Sequence, residues 1–424
     1  MMLALLFGVF AVLLIIGMPV AYGMAISAVV CLMVDPSLPG LVLSQKMFTS
    51  MDSFSLMAVP FFMLAGTLME KSGITKILVN WARSLVGHCT GGIGDAAIVS
   101  GVVMAGVSGS ANADTSALAA MLVPMMREEK YDDGYACALV ASAGALGPII
   151  PPSIMMVLYS GVTSISINKL FLAGYLPGFL IAAGYMAVNY MYAKRNNIPK
   201  SKFVGFGVLL RNTLAALPAL IMPCIIIFGI MLGVVTATEA GVLACTYAVI
   251  YGVLNKSLSL KVLKDCLMDA IHATTSCMIV VAFAGIFGTL ATNYNMSKVI
   301  LNLASVFMGN KYIIMLFISV ILFVAGMFID SNAAMLMLVP VFSPLILQYG
   351  FDPIYFAMVC ILTLDMGGMS PPVGLLMYIA SSITDTPLAK TVKQIWQFLF
   401  VNYGVTILVI FVPAIVTLLP ALFG

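Results

Sequence analysis

The chain has 424 residues, 62% of them hydrophobic and only 8% charged, with a mean hydropathy of +1.14 and a formal net charge of +3. Soluble domains carry about 25% charged residues, so this composition excludes a water-soluble enzyme and leaves a polytopic membrane protein. The eight cysteines stand singly, without CxxC or metal spacing, and no GxxxxGK[ST] phosphate loop is present, so nothing in the sequence points to ATP hydrolysis by this chain.

A membrane span needs about 20 apolar residues. In chain order such stretches fall at 3–33, 51–69, 134–165, 170–193, 212–233, 236–254, 271–292, 353–385 and 395–422. The first lacks a basic n-region and reads as a span, not a cleaved signal. Two further apolar pairs, 92–126 and 312–348, break internally at 108–114 and near 330, and read as re-entrant hairpins. The amphipathic stretches "KSGITKILVNWARSLVG" and Lys298 to Gly309 read as helices lying at opposite membrane surfaces. With nine spans and two hairpins, fifteen of the nineteen Lys and Arg residues fall on one side, in 71–83, 127–130, 194–211, 256–264 and 390–393. Basic residues accumulate in cytoplasmic loops. The expectation is a cytoplasmic N-terminus and a C-terminus on the outer side, with 194–211 a cytoplasmic connector and not a nucleic-acid site.

The chain repeats itself. "GTLMEKSGITKILVN" (Gly66 to Asn80) aligns without gaps on "GTLATNYNMSKVILN" (Gly288 to Asn302), at an offset of 222. "DTSALAAMLVP" (Asp114 to Pro124) matches "DSNAAMLMLVP" (Asp330 to Pro340) at 216, and Pro151-Pro152 match Pro371-Pro372 at 220. Five crossings separate equivalent points, so the second half is inverted. Inverted repeats with interrupted helices in matching places mark a secondary transporter. The expected organisation is an N-terminal span and loop (1–50), a first repeat (51–193), a connector with two scaffold spans (194–270), and a second repeat with a C-terminal span (271–424).

Each proline pair removes N–H donors, so the carbonyls of Gly147 and Pro148, and of Gly367 and Gly368, are expected to lose their helical partners. Bare carbonyls cost several kcal/mol in hydrocarbon and must face protein, water or an ion. Sodium is a hard cation that such oxygens suit. The restarted half-helices at Ser153 and Val373 offer free N–H groups for a carboxylate. The tip "GVSGSANADTSA" (Gly106 to Ala117) supplies Ser108 and Ser110 as ion oxygens. Asn112, Asp114 and Thr115, with Ser331 and Asn332 of "GMFIDSNAA", are candidates for substrate contact or helix capping. Asp114 and Asp330 also suit helix N-caps.

These blocks, "GPIIPPSI", "SGSANADTSA" and "DMGGMSPPVG", together resemble the large membrane subunit of tripartite ATP-independent periplasmic (TRAP) transporters, over nearly the whole chain. The resemblance implies an all-α ion-transporter-superfamily elevator fold with a scaffold and a mobile domain, in a bacterial inner membrane, its C-terminus periplasmic. It implies sodium-driven import of an organic acid received from a periplasmic binding protein, and a small four-helix membrane subunit beside the scaffold. Because the chain opens directly on its first span, that subunit is expected to be a separate polypeptide. Two or more coupling Na⁺ ions and no organic cofactor are expected. The resemblance assigns a first sodium site to Ser108, Ser110, Gly147, Ile150 and Pro152. A pseudo-symmetric second site draws on Gly326, Asp330, Gly367, Met369, Ser370 and Pro372, although its tip has no "SGS" counterpart.

All four arginines fall in expected cytoplasmic loops, so the substrate carboxylate is expected to rest on backbone N–H groups, with help from Ser153 and the tip side chains. Sialic acid is the leading substrate and C4-dicarboxylates the alternative. Other readings are a passive channel, a carrier that needs no binding protein, and an intramembrane serine protease suggested by "GVSG" (Gly106 to Gly109). The last needs a histidine base at membrane depth, and only His88 and His272 exist.

Overall fold

The computed structural model describes residues 1–35, 39–305 and 310–423, and among the described residues regular structure is entirely helical. The helices fall into two sets, and the last seven of the first recur in the same order in the second. The first set is α1 (Met2–Ile15), α2 (Val20–Val34), α3 (Leu41–Met51), α4 (Ala58–Lys71), α5 (Ile74–Val86), α6 (Gly92–Ser108), α7 (Ala111–Glu128), α8 (Asp133–Gly144), α9 (Ile154–Thr163) and α10 (Ile167–Arg195). The second is α11 (Phe206–Met231), α12 (Ala237–Leu254), α13 (Leu260–Asn293), α14 (Met296–Ser305), α15 (Lys311–Phe328), α16 (Ser331–Tyr349), α17 (Pro353–Gly368), α18 (Leu375–Ile383) and α19 (Leu388–Phe411), followed by α20 (Ala414–Phe423). Seven of the described helices, α10 to α13, α15, α16 and α19, are long and apolar enough to cross a membrane unaided.

Two stretches expected as single spans are each divided. Residues 3–33 form a hairpin: Gly17 takes φ +87°, which a side chain disfavours, and Pro19 brings no N–H. Gly23 of α2 then lies against the Phe10 ring of α1. These helices have 14 and 15 residues, roughly 21–22 Å at 1.5 Å per residue, shorter than the ~30 Å hydrocarbon layer. Residues 395–422 divide at Val412-Pro413 into α19 and α20, where proline again ends a hydrogen-bonded run. Span 51–69 is α4, preceded by a bend of 68° from α3, and span 271–292 is the longer α13. The amphipathic stretches are α5 and α14; the last part of the second, 306–309, lies outside the described residues.

Packing gathers the helices into two bodies. In one, α13 crosses α2, α3 and α4, and α4 packs on α12. In the other, the hairpin α6–α7 and broken pair α8–α9 interlock with α17, α18 and α19, so the two repeats share one core. Arg127, at the end of α7, joins them: its guanidinium donates to Asp133, to the Thr384 carbonyl and to the Thr386 hydroxyl, each at 2.8 Å. Helix α10 is the axis of this body. Its Tyr185 donates to Asn402 of α19 at 2.9 Å, and its Asn189 donates to Asp95 and the Gly91 carbonyl of α6, both at 2.8 Å. The amphipathic α5 leads from α4 to α6, and left-handed glycines, Gly73 and Gly91, stand immediately before α5 and α6.

Asn189 is fully buried, so Asn189→Ala leaves the Asp95 carboxyl without its donor. The expected cost is about 1–3 kcal/mol, read as a lowered thermal midpoint of the purified protein in detergent. Asn196→Ala, an exposed side chain bonded only to its own helix, is expected to change stability by less than about 0.5 kcal/mol.

Candidate functional site

The site is assembled from two hairpin tips and two helix breaks. In the first repeat, α6 ends at Ser108 and α7 begins at Ala111, leaving Gly109-Ser110 as the tip. Gly109 has φ +62°, and a Cβ there would stand 2.5 Å from the Pro152 carbonyl oxygen. Only glycine lets the tip dock so closely on the break between α8 and α9. The Ile154 N–H also points at the Gly109 carbonyl, at 3.4 Å.

Around this contact Ser108, Ser110, Gly147 and Pro152 of the first site come together. The Ser108 hydroxyl donates to Asp114 Oδ1 at 2.6 Å, while its oxygen accepts the Ser110 N–H at 3.1 Å. Gly147 is pressed on the tip: a Cβ there would lie 3.0 Å from the Ala111 nitrogen and 3.2 Å from Asp114 Oδ2. The carbonyls of Gly147, Ile149, Ile150, Pro151 and Pro152 accept no hydrogen bond among the described residues. The Pro148 carbonyl, expected to be bare, accepts the Ser153 hydroxyl at 2.6 Å. Ser153 also caps α9 through the Met156 N–H at 3.2 Å. It is buried and outside the cavity described below, as is Thr115, which packs against Gly144. The Ile150 side chain turns away toward Gly178 of α10.

The second repeat copies this frame with different atoms. Its tip is Ile329-Asp330, and Asp330 caps α16 by accepting the Asn332 and Ala333 N–H groups at 3.0 and 3.3 Å. In the first repeat the cap is Ser110, bonded to the Ala113 N–H at 3.5 Å, while Asp114 sits one turn inside α7. The tips therefore superimpose at an offset of 220, not 216: Gly106 on Gly326, Ser110 on Asp330, Asn112 on Asn332. Gly326 and Gly367 bring the backbones of α15 and α17 together, and Ser331 donates to the Leu364 carbonyl at 3.0 Å. The Gly367 carbonyl, expected to be bare, accepts the Ser370 N–H at 2.9 Å because the chain tightens into a turn. The Gly368 carbonyl accepts none among the described residues. The Ser370 hydroxyl is occupied by the Met366 carbonyl at 2.9 Å. Met369 is buried, its sulfur facing Asn402 at 3.2 Å and Tyr185 at 3.9 Å. Pro372 is exposed, and the half-helix beyond it starts at Leu375, two residues later than expected.

Between the tips lies a cavity of about 840 Å³. Asn112 and Ser110 face it from one tip, and Asp330, Ser331 and Asn332 from the other. Three contributors were not anticipated. The α1–α2 turn, Pro19 to Tyr22, reaches it from the other body; Ser276 and Cys277 of α13 border it; and Asp365 lies in its wall. Asp365 opens the block "DMGGMSPPVG", where a carboxyl in an apolar span was signal enough. The α1–α2 turn was hidden because both of its helices are uniformly apolar. Among the described residues no three His, Cys, Asp or Glu side chains cluster as a metal site. The Ser108 hydroxyl serves Asp114, so "GVSG" forms no Ser–His pair.

Comparison with known proteins agrees with this architecture. The family described as "Tripartite ATP-independent periplasmic transporter, DctM component" matches residues 7–415. A putative TRAP transporter large permease protein of Haemophilus influenzae is 36% identical, over 95% of each chain. The sialic acid TRAP transporter large permease protein SiaM of Vibrio cholerae is 33% identical, over 97% of this chain and 96% of its own. The 2,3-diketo-L-gulonate TRAP transporter large permease protein YiaN of Escherichia coli is 32% identical, over 95% of each. Among solved structures, the Alcanivorax borkumensis YdaH transporter shares the fold, with a TM-score of 0.63 at 12% identity over 87% of this chain and 86% of that one.

Gly109→Ala is expected to prise the tip off the break and destabilise the protein by about 1–3 kcal/mol, seen as a lower thermal midpoint in detergent. Gly404→Ala, where an added Cβ meets nothing within 4 Å, is expected to leave the midpoint unchanged or slightly raised.

Proposed function

The chain belongs to the tripartite ATP-independent periplasmic transporters, as their DctM component, and is a multi-pass membrane permease, not an enzyme; from that premise we propose that it imports an organic acid using a sodium gradient. The observation that carries this reading is the junction at Gly109 and Pro152. There the unpaired Pro152 carbonyl, the Gly147 backbone, the Ser108 and Ser110 hydroxyls and the buried Asp114 carboxyl stand close together, a set of hard oxygens suited to Na⁺. A second ion uses the Gly326 and Gly367 side, with the Gly368 carbonyl in place of the engaged Gly367 oxygen. Two or more sodium ions accompany each substrate.

The acid lies in the cavity between the tips, where Asn112, Ser331 and Asn332 meet it. A periplasmic binding protein delivers it, and a small membrane subunit braces the α2–α4, α12 and α13 body. The body of hairpins and broken helices moves as an elevator, on α5 and α14 as arms. The excess of basic loops places 71–83 and 194–211 in the cytoplasm. Because residues 2–34 form a hairpin, Met1 then falls on the same outer side as Lys46, whereas a single span would have put it inside. Sialic acid remains the leading substrate. The relatives named for sialic acid and for 2,3-diketo-L-gulonate stand at nearly equal identity, so a C4-dicarboxylate or a sugar acid is the alternative.

The test is uptake by proteoliposomes holding both membrane subunits, with sialic acid, succinate and 2,3-diketo-L-gulonate, each with and without a sodium gradient and binding protein. Accumulation requiring both is expected. Flux indifferent to sodium would identify a channel, and full uptake without binding protein a self-sufficient carrier. Ser108→Ala is expected to raise the half-saturating sodium concentration at least tenfold, and Gly147→Pro to abolish uptake with membrane insertion intact.

A further inference from the structure

A second cavity, of about 400 Å³, lies between the end of α5 and the connector that enters α11. Small-ligand sites occupy about 300–1,000 Å³. Asn80 and Arg83 of α5 form one wall, Lys202 and Asn212 a second, and Glu129, one residue beyond α7, a third. None of these residues lines the cavity between the tips.

The cations of this second cavity are little engaged. Arg127 uses its guanidinium in three hydrogen bonds. The Arg83 guanidinium makes none among the described residues: Glu129 Oε1 stands 3.8 Å from its Nη2, and the Glu129 carboxylate also faces the Ser201 hydroxyl. Lys202 has no carboxylate within ion-pair distance among the described residues. With His88 neutral, two cations face one carboxylate, which leaves a single positive charge, the complement of one phosphodiester. A guanidinium with unoccupied N–H groups suits phosphate oxygens as a fork, and a lysine adds a point charge. The Asn80 and Asn212 amides stand beside them, able to donate to or accept from hydroxyl groups.

The surroundings of the cavity are apolar. Val204 lies in its wall, and the His88 ring meets Phe203 edge-on at 5.3 Å. Phe203 meets Phe206, also at 5.3 Å, and Phe206 is 81% exposed. Leu210, one turn further along α11, is exposed as well. Because α11 is long and apolar enough to cross a membrane, this strip leads from the charged cavity towards hydrocarbon. A soluble phosphate would leave the strip bare, whereas a lipid uses both parts. Basic pockets beside membrane helices take anionic headgroups in this way. We propose that the cavity binds the headgroup of an anionic phospholipid. The phosphodiester rests on Arg83 and Lys202, the headgroup hydroxyls on Asn80 and Asn212, and an acyl chain lies along Phe206 and Leu210. The walls belong to the amphipathic α5, to the connector with α11, and to the end of the α6–α7 hairpin, so an occupied cavity ties the three together. A ligand held only by the folded chain raises its stability.

The test uses the full chain, delipidated in a neutral detergent, with its thermal midpoint followed against added lipid. Phosphatidylglycerol is expected to raise the midpoint, and phosphatidylcholine, phosphatidylethanolamine and glycerol 3-phosphate to leave it unchanged. Arg83→Gln combined with Lys202→Gln should need at least tenfold more phosphatidylglycerol for the same rise. Lys261→Gln combined with Lys264→Gln, at the start of α13, should respond as the wild type does. Any stability that a variant loses by itself appears in its lipid-free midpoint and is subtracted. Asn212→Asp, which adds a carboxylate and removes no cation, should weaken the response by a similar factor and serves where the double variant fails to fold. Native mass spectrometry should show one phosphatidylglycerol retained on the wild type and lost from either cavity variant. An equal rise with phosphatidylcholine or phosphatidylethanolamine overturns the choice of an anionic lipid. An equal rise with glycerol 3-phosphate identifies a soluble-phosphate site and overturns the lipid. Cavity variants that respond as the wild type does overturn the site itself.

Discussion

A bilayer offers a bare peptide carbonyl nothing to bind, and the architecture follows from how this chain deals with that constraint. Pro151 and Pro152 cannot continue α8, so a run of carbonyls loses its donors. In a lone span this would be ruinous. Here the run is sealed between two surfaces: α10, where Gly174 and Gly178 allow Ile149 and Ile150 to close in, and the tip at Gly109. The hairpin is thus the protein cover that the broken helix requires, and the broken helix is the floor on which the tip rests. The second repeat meets the same demand with Gly326 on Gly367. Neither element is tolerable in lipid without its partner, which explains why the two features recur together in both halves.

Equal frames do not give equal chemistry. The caps at the two tips are a neutral hydroxyl, Ser110, and a carboxylate, Asp330. The buried Asp114 and its Ser108 donor have Ala334 and Phe328 at the corresponding places, and Asp365 is answered by Ala145. One half therefore keeps its carboxyl behind the tip, against the ion-sized gap. The other brings two carboxyls to the cavity wall. The tip stands between the Asp114 carboxyl and the cavity, whereas Asp330 and Asp365 border the cavity directly.

The broken helices and hairpins were legible in the sequence because proline pairs and polar tips are rare within apolar stretches, and each break took the place it was given. Less visible was anything decided by close approach. The α1–α2 hairpin carries only Gly17-Met18-Pro19 as punctuation, which in a run of 33 apolar residues is weaker than the pull of a single span. The repeat register slipped by one turn at the tips because "DTSA" and "DSNA" look alike. The atoms that define the tip are Ser110 and Asp330, since capping depends on where the helix begins. Likewise Ser153 read as a free hydroxyl, although the Pro148 carbonyl lies close enough to engage it. Hydrogen bonds formed across a break are set by the fold of the break, and spacing along the chain does not contain them.

The walls of the cavity bear on how a moving site could work. Its polar atoms come largely from the hairpin body, at Asn112, Asp330, Ser331, Asn332 and Asp365, while Pro19, Ala21, Met63 and Val280 of the other body face them with hydrocarbon. If the hairpin body slides, the ligand travels with most of its polar neighbours and leaves behind a largely apolar surface, with Tyr22, Ser276 and Cys277 as the polar exceptions. An apolar wall lets a bound, neutralised complex pass and resists bare ions or an unpaired acid, whose desolvation it does nothing to offset. Under the proposed sodium-driven cycle, coupling would need no gate that senses occupancy: a half-loaded carrier would retain exposed charge and stay on its own side, whereas the complete set of acid and cations would present a face neutral enough to cross.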